Sequence, residues 1–182
     1  MWNNTDKGFQ IAFDTAWEAY KAGSTPIGAC IVNEIEDVVA IGRNQIHAVG
    51  DGILSFHQLA HAEANAILKV SEETTPNQHP NIRQYSLYTT MEPCPFCFGA
   101  IVMGSIRNVK FAARDGIAGA TTLNEAIDYI KSKKISVEGP FYELELVQIA
   151  MQTCFGISKY KNAEKVINNW SVYCPKGVDI GK

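Results

Sequence analysis

The chain has 182 residues, of which 46% are apolar and 19% charged, and it carries a formal net charge of −3. That length supports one domain with a hydrophobic core, and the composition is that of an ordinary globular protein. Residues 1–150 hold 11 Lys/Arg against 17 Asp/Glu, so the main body lacks the positive field that a long nucleic acid demands, whereas residues 151–182 hold five Lys against Glu164 and Asp179.

Thr5 or Asn4 is placed to cap a first helix, on which Phe9, Ala12, Phe13, Ala16, Trp17 and Tyr20 recur at three- and four-residue spacing as one apolar face. Gly23 is its expected stop. Residues 27–33 (IGACIVN) and 38–44 (VVAIGRN) read as two strands joined by an acidic hairpin turn. Residues 45–59 read as an irregular loop able to overhang a site. Residues 60–70 favour helix, and the stretch 74–80, with its two prolines, breaks it. A strand is expected at 85–90, a helix entered through Pro93 and Pro95 at 94–104, and a strand at 106–113. A glycine-rich loop at 115–120 then leads to a helix at 123–133. Residues 141–147 (FYELELV) alternate apolar and acidic, as a half-buried strand does, and a last helix is expected between Ile157 and Trp170. Strands separated by helices predict an α/β fold with helices on both faces of a sheet. The expected organisation is one domain over residues 1–182, with residues 150–182 as a C-terminal helical extension.

Two short stretches carry the chemistry: His61-Ala62-Glu63 and Pro93-Cys94-Pro95-Phe96-Cys97. The cysteine count of five is odd and two form C-x-x-C, which points to a reducing compartment and a metal or redox role. The polar opening residues and the lack of any apolar run of bilayer length make the cytoplasm the expected location, with no membrane partner. Cysteines three apart on the first turn of a helix present both sulfurs on one face, at the end whose dipole favours thiolates. With His61 they make three ligands for one Zn²⁺ per chain. A fourth position then stays open for water, which is what separates a catalytic zinc from a structural one. Zinc lowers the pKa of such a water to about 7. Glu63, two residues from His61, can stand beside the metal without binding it and act as base, then as acid.

H-x-E followed by P-C-x-x-C is a signature of zinc nucleobase deaminases, and from Phe9 to Val147 the chain resembles the cytidine/deoxycytidylate deaminase superfamily. The resemblance implies a three-layer α/β/α sandwich around a five-stranded mixed sheet, an aminohydrolase activity and a homodimer. Residues 91–101 (MEPCPFCFGAI), residues 111–115 (FAARD) with Gly119-Ala120, residues 26–29 (PIGA) and Asn44 resemble the purine-directed branch of guanine deaminases and tRNA adenosine deaminases. By that resemblance Asn44 hydrogen-bonds the base or sugar, and the backbone amides of Ala62 and Cys94 touch the base or the tetrahedral intermediate. One stretch departs: the branch reads D-P-x-A-H-A-E where this chain reads His57-Gln58-Leu59-Ala60-His61-Ala62-Glu63. The acidic main body favours a small substrate, a purine such as guanine or its nucleoside or nucleotide, over tRNA. A tRNA adenosine deaminase is the alternative, carried by Arg114-Asp115 and Gly119-Ala120. A dCMP-type enzyme is a further one, carried by residues 61–66 (HAEANA).

Blander readings stand beside these. His57 and His61, four apart, could join Cys94 and Cys97 in a closed structural Cys₂His₂ site. Glu92 is expected to orient the cysteine turn through hydrogen bonds. Phe96 and Phe98 line the pocket or fill the core. Cys30 belongs to the core, His47 and His79 to surface loops, and Cys154 and Cys174 take no role. The Trp170–Tyr173 region is a candidate to fold over a neighbouring site.

Overall fold

The computed structural model describes residues 2–72 and 81–182; the expected break at 74–80, with His79, lies outside them. Five strands form one mixed sheet in the order β2-β1-β3-β4-β5. β1 (Gly28–Val32) and β2 (Val38–Arg43) make the expected antiparallel hairpin. Its acidic turn is held by Asn33, whose side-chain oxygen accepts from the amides of Ile35 and Asp37 at 3.0 and 2.9 Å. β3 (Ser86–Met91) pairs antiparallel with β1 and parallel with β4 (Asn108–Ala113), which pairs parallel with β5 (Ser136–Glu138).

Every residue of β1 is buried, as a strand covered on both faces must be. Alternate side chains separate onto two cores. Ala29 and Ile31 of β1 and Leu87 of β3 face one core, with Phe98 and Ile101 of α3 (Pro95–Met103) and Ala62 and Ala66 of α2 (Ala62–Glu72). Cys30, Val32 and Tyr88 face the other, with Phe9, Ala12 and Phe13 of α1 (Lys7–Lys21). The result is the three-layer α/β/α sandwich. Truncating a fully buried ring such as Phe98 to alanine costs about 3–5 kcal/mol in such a core. Gly42 lets β2 meet the start of α2: a β-carbon there would lie 2.1 Å from the carbonyl oxygen of Ala62. No helix among the described residues is long and apolar enough to cross a membrane.

Several expectations are corrected. Residues 141–147 are not a strand but open α6 (Tyr142–Lys159). Its buried residues Glu145, Leu146, Gln148, Ile149, Gln152, Thr153, Phe155 and Gly156 follow a helical period, and polar members of that stripe disguise it in a short window. The fifth strand is instead the three-residue β5. The helix expected at 123–133 is two single turns, α4 (Leu123–Ala126) and α5 (Asp128–Lys131), parted by Ile127 in an extended conformation. The last expected helix is shifted, to α7 (Ala163–Tyr173), and α8 (Pro175–Gly181) follows it. Asp6, not Thr5 or Asn4, stands at the start of α1, where its carbonyl accepts from Phe9 and Gln10. On α1, Ala19 joins the buried stripe, while Trp17 is half exposed and stacks on Tyr20.

Candidate active site

The sheet places the candidate residues at the chain reversals that follow its strands. Asn44 directly follows β2, with its amide bonded to the carbonyl of Ile27 at 2.9 Å. The loop after it is irregular, as expected, and is tied back where the Gln45 amide donates to the Ala60 carbonyl at 2.8 Å. His61 immediately precedes α2, and Glu63 lies in its first turn. Cys94 caps α3, Pro95 opens it and Cys97 sits in the first turn. Two helix starts therefore converge, and their first N–H groups, including that of Ala62, have no acceptor within the helix.

This convergence brings His61, Cys94 and Cys97 together, with all three donor atoms within 4.8 Å of one another. The Nδ1 atom of His61 is 3.5 Å from the sulfur of Cys94 and 3.4 Å from that of Cys97. The neighbouring Cys97 thiol pulls the Cys94 thiol down to about 4, and Cys97 is itself pushed up. His61 is raised by its own hydrogen bond to Cys94. A site that stabilises a thiolate beside a second sulfur and an imidazole fits the tetrahedral N/S preference of zinc. His57 is not part of the set: it is exposed, and its Nδ1 accepts from the amide of Leu59 at 3.1 Å. Among the described residues the closed four-ligand arrangement therefore has no fourth donor.

Glu63 is 4% exposed, and burial pushes its carboxyl up to about 7. The Cys97 thiol donates to its Oε2 at 3.4 Å. Glu63 and the metal-type donors His61 and Cys94 line one cavity of about 200 Å³, with Asn44 also in its wall. The Oδ1 of Asn44 is engaged from within, accepting from the Ser24 hydroxyl at 2.8 Å and the Ile46 amide at 3.2 Å. That fixes the amide so that it offers the cavity its NH₂ donor. Phe98 belongs to the core, and Phe96 packs edge-on against the His61 ring.

Thr25, Met91 and Asp115 also stand in the wall; the sequence marked Met91 and Asp115 only as parts of family-like segments and gave none of the three a place in the site. The Asp-Gly pair at 115–116 was the local signal that Asp115 would hold a turn. Its Oδ1 accepts from the amides of Ile117 and Ala118 at 2.9 and 3.1 Å, and burial raises its pKa. The Glu92 carboxylate bonds the 115–121 loop rather than the cysteine turn itself. It accepts from the amides of Asp115 and Thr121 and from the Thr121 hydroxyl, clamping the 115–121 loop to the segment that bears Cys94. Gly119 must be glycine for this clamp, because a β-carbon there would lie 2.3 Å from Glu92 Oε2. Trp170 of α7 packs on Met91 and Ala113 at the ends of β3 and β4 of its own chain.

The pattern of the cytidine and deoxycytidylate deaminase zinc-binding region matches residues 3–113. A cytosine deaminase of Candida albicans is 25% identical over 151 residues, 83% of this chain and 84% of its own length. A guanine deaminase of Bacillus subtilis is 31% identical over 148 residues, 80% of this chain and 88% of its own. Among solved structures, one from a study of A-to-I editing by tRNA:A34 deaminases is 29% identical, superposes with a TM-score of 0.53, and covers 62% of this chain and 79% of its own.

Proposed function

The chain belongs to the cytidine and deoxycytidylate deaminase family of zinc-binding aminohydrolases, and from that premise we propose that it deaminates a small free nucleobase, nucleoside or nucleotide, with a purine such as guanine as the favoured base. The observation that carries this reading is a buried carboxyl, Glu63, in the wall of the cavity that the metal-type donors line. His61, Cys94 and Cys97 would hold one Zn²⁺. When bound, zinc acts as a Lewis acid and makes a water nucleophilic near neutral pH. Glu63, raised to about 7 by burial, exchanges protons at that pH. Its carboxylate oxygen takes one proton from the attacking water and hands it to a ring nitrogen, then takes the second from the new hydroxyl and hands it to the departing amine. Asn44 donates its NH₂ to an acceptor on the base, and the N–H groups of Ala62 and Cys94 donate to the oxygen where charge develops. Water adds, ammonia leaves, and the amino-bearing carbon becomes a carbonyl.

The preference for a small substrate rests on charge and size. No Lys or Arg lines the cavity, whereas Glu63, Glu92 and Asp115 do. A volume of about 200 Å³ falls below the ~300–1,000 Å³ of pockets for drug-sized ligands. A tRNA adenosine deaminase is the second reading, favoured by the likeness to the tRNA:A34 deaminase structure. Assaying guanine, adenosine, cytidine nucleotides and an anticodon stem-loop side by side decides between them. We expect the small molecules to be turned over; turnover of the stem-loop alone would overturn the preference.

Three further elements belong to this proposal. All five cysteines are free, in keeping with a reducing cytoplasm. The chain acts as one domain, to which the C-terminal helices are an extension. It forms a homodimer through the outer face of α3, where Phe96 and Met103 are 39% and 73% exposed and Gly99 opens onto empty space. Met103→Lys should shift the protein from dimer to monomer in sedimentation velocity with its zinc content unchanged. A dimer that persists would mean the interface lies elsewhere.

A further inference from the structure

A separate cavity, of about 160 Å³, is walled by α1, β2, α2 and the loop that follows β2. Among the described residues it shares none of its wall with the cavity that holds Glu63. Its volume is about half the ~300 Å³ at which pockets for drug-sized ligands begin, so it suits a small occupant.

This cavity is marked by polar groups with nothing to bind. Gln45 is 1% exposed, and both its Nε2 and its Oε1 lack a hydrogen-bond partner among the described residues. The buried Nε of Arg43 lacks one too. Buried polar groups left unpaired are costly and rare, so three of them in one wall point to an occupant. The other polar side chains there are engaged. The Thr15 hydroxyl donates to the carbonyls of Ile11 and Ala12 at 3.1 and 2.9 Å. Asn65 holds the backbone of Leu54 and the carbonyl of Arg43, and Glu18 is paired with Lys21 at 2.6 Å. What is left is two cations, Arg43 and Lys69, and one amide that offers a donor and an acceptor together.

A carboxylate of the chain already stands against those cations. Asp51 lies 3.1 Å from Arg43 Nη2 and 3.9 Å from Lys69 Nζ, with its side chain 71% exposed. It is carried between Gly50 and Gly52, where a β-carbon would collide with the Gln45 amide. Asp51 is thus a stand-in for an anion, held by exposed ion pairs that contribute little and exchange readily.

We propose that this cavity binds a tetrahedral oxyanion that keeps a hydroxyl, the hydrogen phosphate class, which displaces Asp51 from Arg43 and Lys69. The planar guanidinium of Arg43 offers Nε and Nη2 to two oxygens at once, and Lys69 adds a point charge. Gln45 donates from Nε2 to a third oxygen and accepts the anion's hydroxyl at Oε1. Sulfate carries no proton at neutral pH and leaves that acceptor unpaired. The site is independent of the deaminase reading, because no metal-type donor and no residue given a part in the chemistry lines it.

The test titrates zinc-loaded full-length protein with inorganic phosphate, ribose 5-phosphate and sulfate by calorimetry at pH 7 and constant ionic strength. We expect inorganic phosphate to bind once per chain and to raise Tm by roughly 3–6 °C at ten times its Kd, with sulfate weaker by about ten-fold or more. Ribose 5-phosphate binding as tightly identifies the anion as the phosphoryl end of a larger molecule, and weaker binding identifies the free ion; either result supports the site. Arg43→Gln and Lys69→Gln should each weaken phosphate binding by about ten-fold or more, and Gln45→Leu by about three- to ten-fold. Asp51→Asn, at an exposed position where folding is not at stake, should tighten it by about three-fold or more, because the competing carboxylate is gone. No binding, equal affinity for sulfate, binding that survives Arg43→Gln and Lys69→Gln as phosphate held by the zinc would, or no tightening in Asp51→Asn each overturns the proposal.

Discussion

Replacing Glu63 by Gln should lower kcat by about 10²–10⁴-fold, the contribution of a positioned general acid–base group, while zinc content stays at one per chain. The substitution nearly conserves volume at a position that is 4% exposed, so the surrounding core is undisturbed. It leaves an oxygen able to accept from the Cys97 thiol, now 3.4 Å from Oε2. What is removed is the capacity to bind and release a proton near neutral pH. Turnover and metal content measured on the same preparation separate this role from a structural one. Turnover within ten-fold of the parent would remove Glu63 from the chemistry. Loss of zinc would make it a ligand instead.

Cys97→Ser should lower zinc affinity by more than the roughly 10–100-fold that follows even from disturbing a ligand's supporting partners, and activity should fall with it. Cys97 is fully buried, and its sulfur lies 3.4 Å from His61 Nδ1. A serine oxygen is shorter in reach, harder and far less acidic than a thiol, and so is a poor exchange in an N/S site. Most of the fold rests on the apolar clusters of the two faces, so circular dichroism should report a folded chain. His57→Ala is the matched control. His57 is exposed and stands outside the donor set, so full zinc should remain. Metal loss on replacing His57 would revive the closed structural site.

The residues that meet at the donor set were the most legible part of the sequence, because short-range rules govern them. C-x-x-C on a helix start and a histidine before a second helix start are local patterns, and the sheet only has to bring two such starts together. The hairpin of β1 and β2 was legible for the same reason, with its turn fixed by Asn33. What failed was decided at long range. The stripe of α6 contains Glu145, whose Oε1 accepts from the Arg114 amide at 3.0 Å, and Gln148, which donates to the Pro26 carbonyl at 2.8 Å. Each polar residue is buried because of a partner more than thirty positions away, so no window of FYELELV could show a helix there. The three residues of β5 are too few and too exposed to carry a period. Thr25, Met91 and Asp115 reach the wall through tertiary packing, and of their placement there only the turn held by Asp115 left a local trace.

The division of labour between the two ends of the chain has a consequence for how such a protein can change over time. The donors and Glu63 all lie within residues 61–97, inside the stretch that the family pattern matches. A cavity of about 280 Å³ adjoins the one that holds Glu63, and Gln152, Tyr160, Val166 and Trp170 in its wall all lie beyond that stretch. Under the proposed function, the residues that break the bond and part of the wall beside them are thus encoded in separate segments. Drift along α6 and α7 can alter which molecule is admitted without touching a metal donor. A graft of residues 141–182 from a relative with the same motifs should then change which compound is turned over while zinc content stays the same.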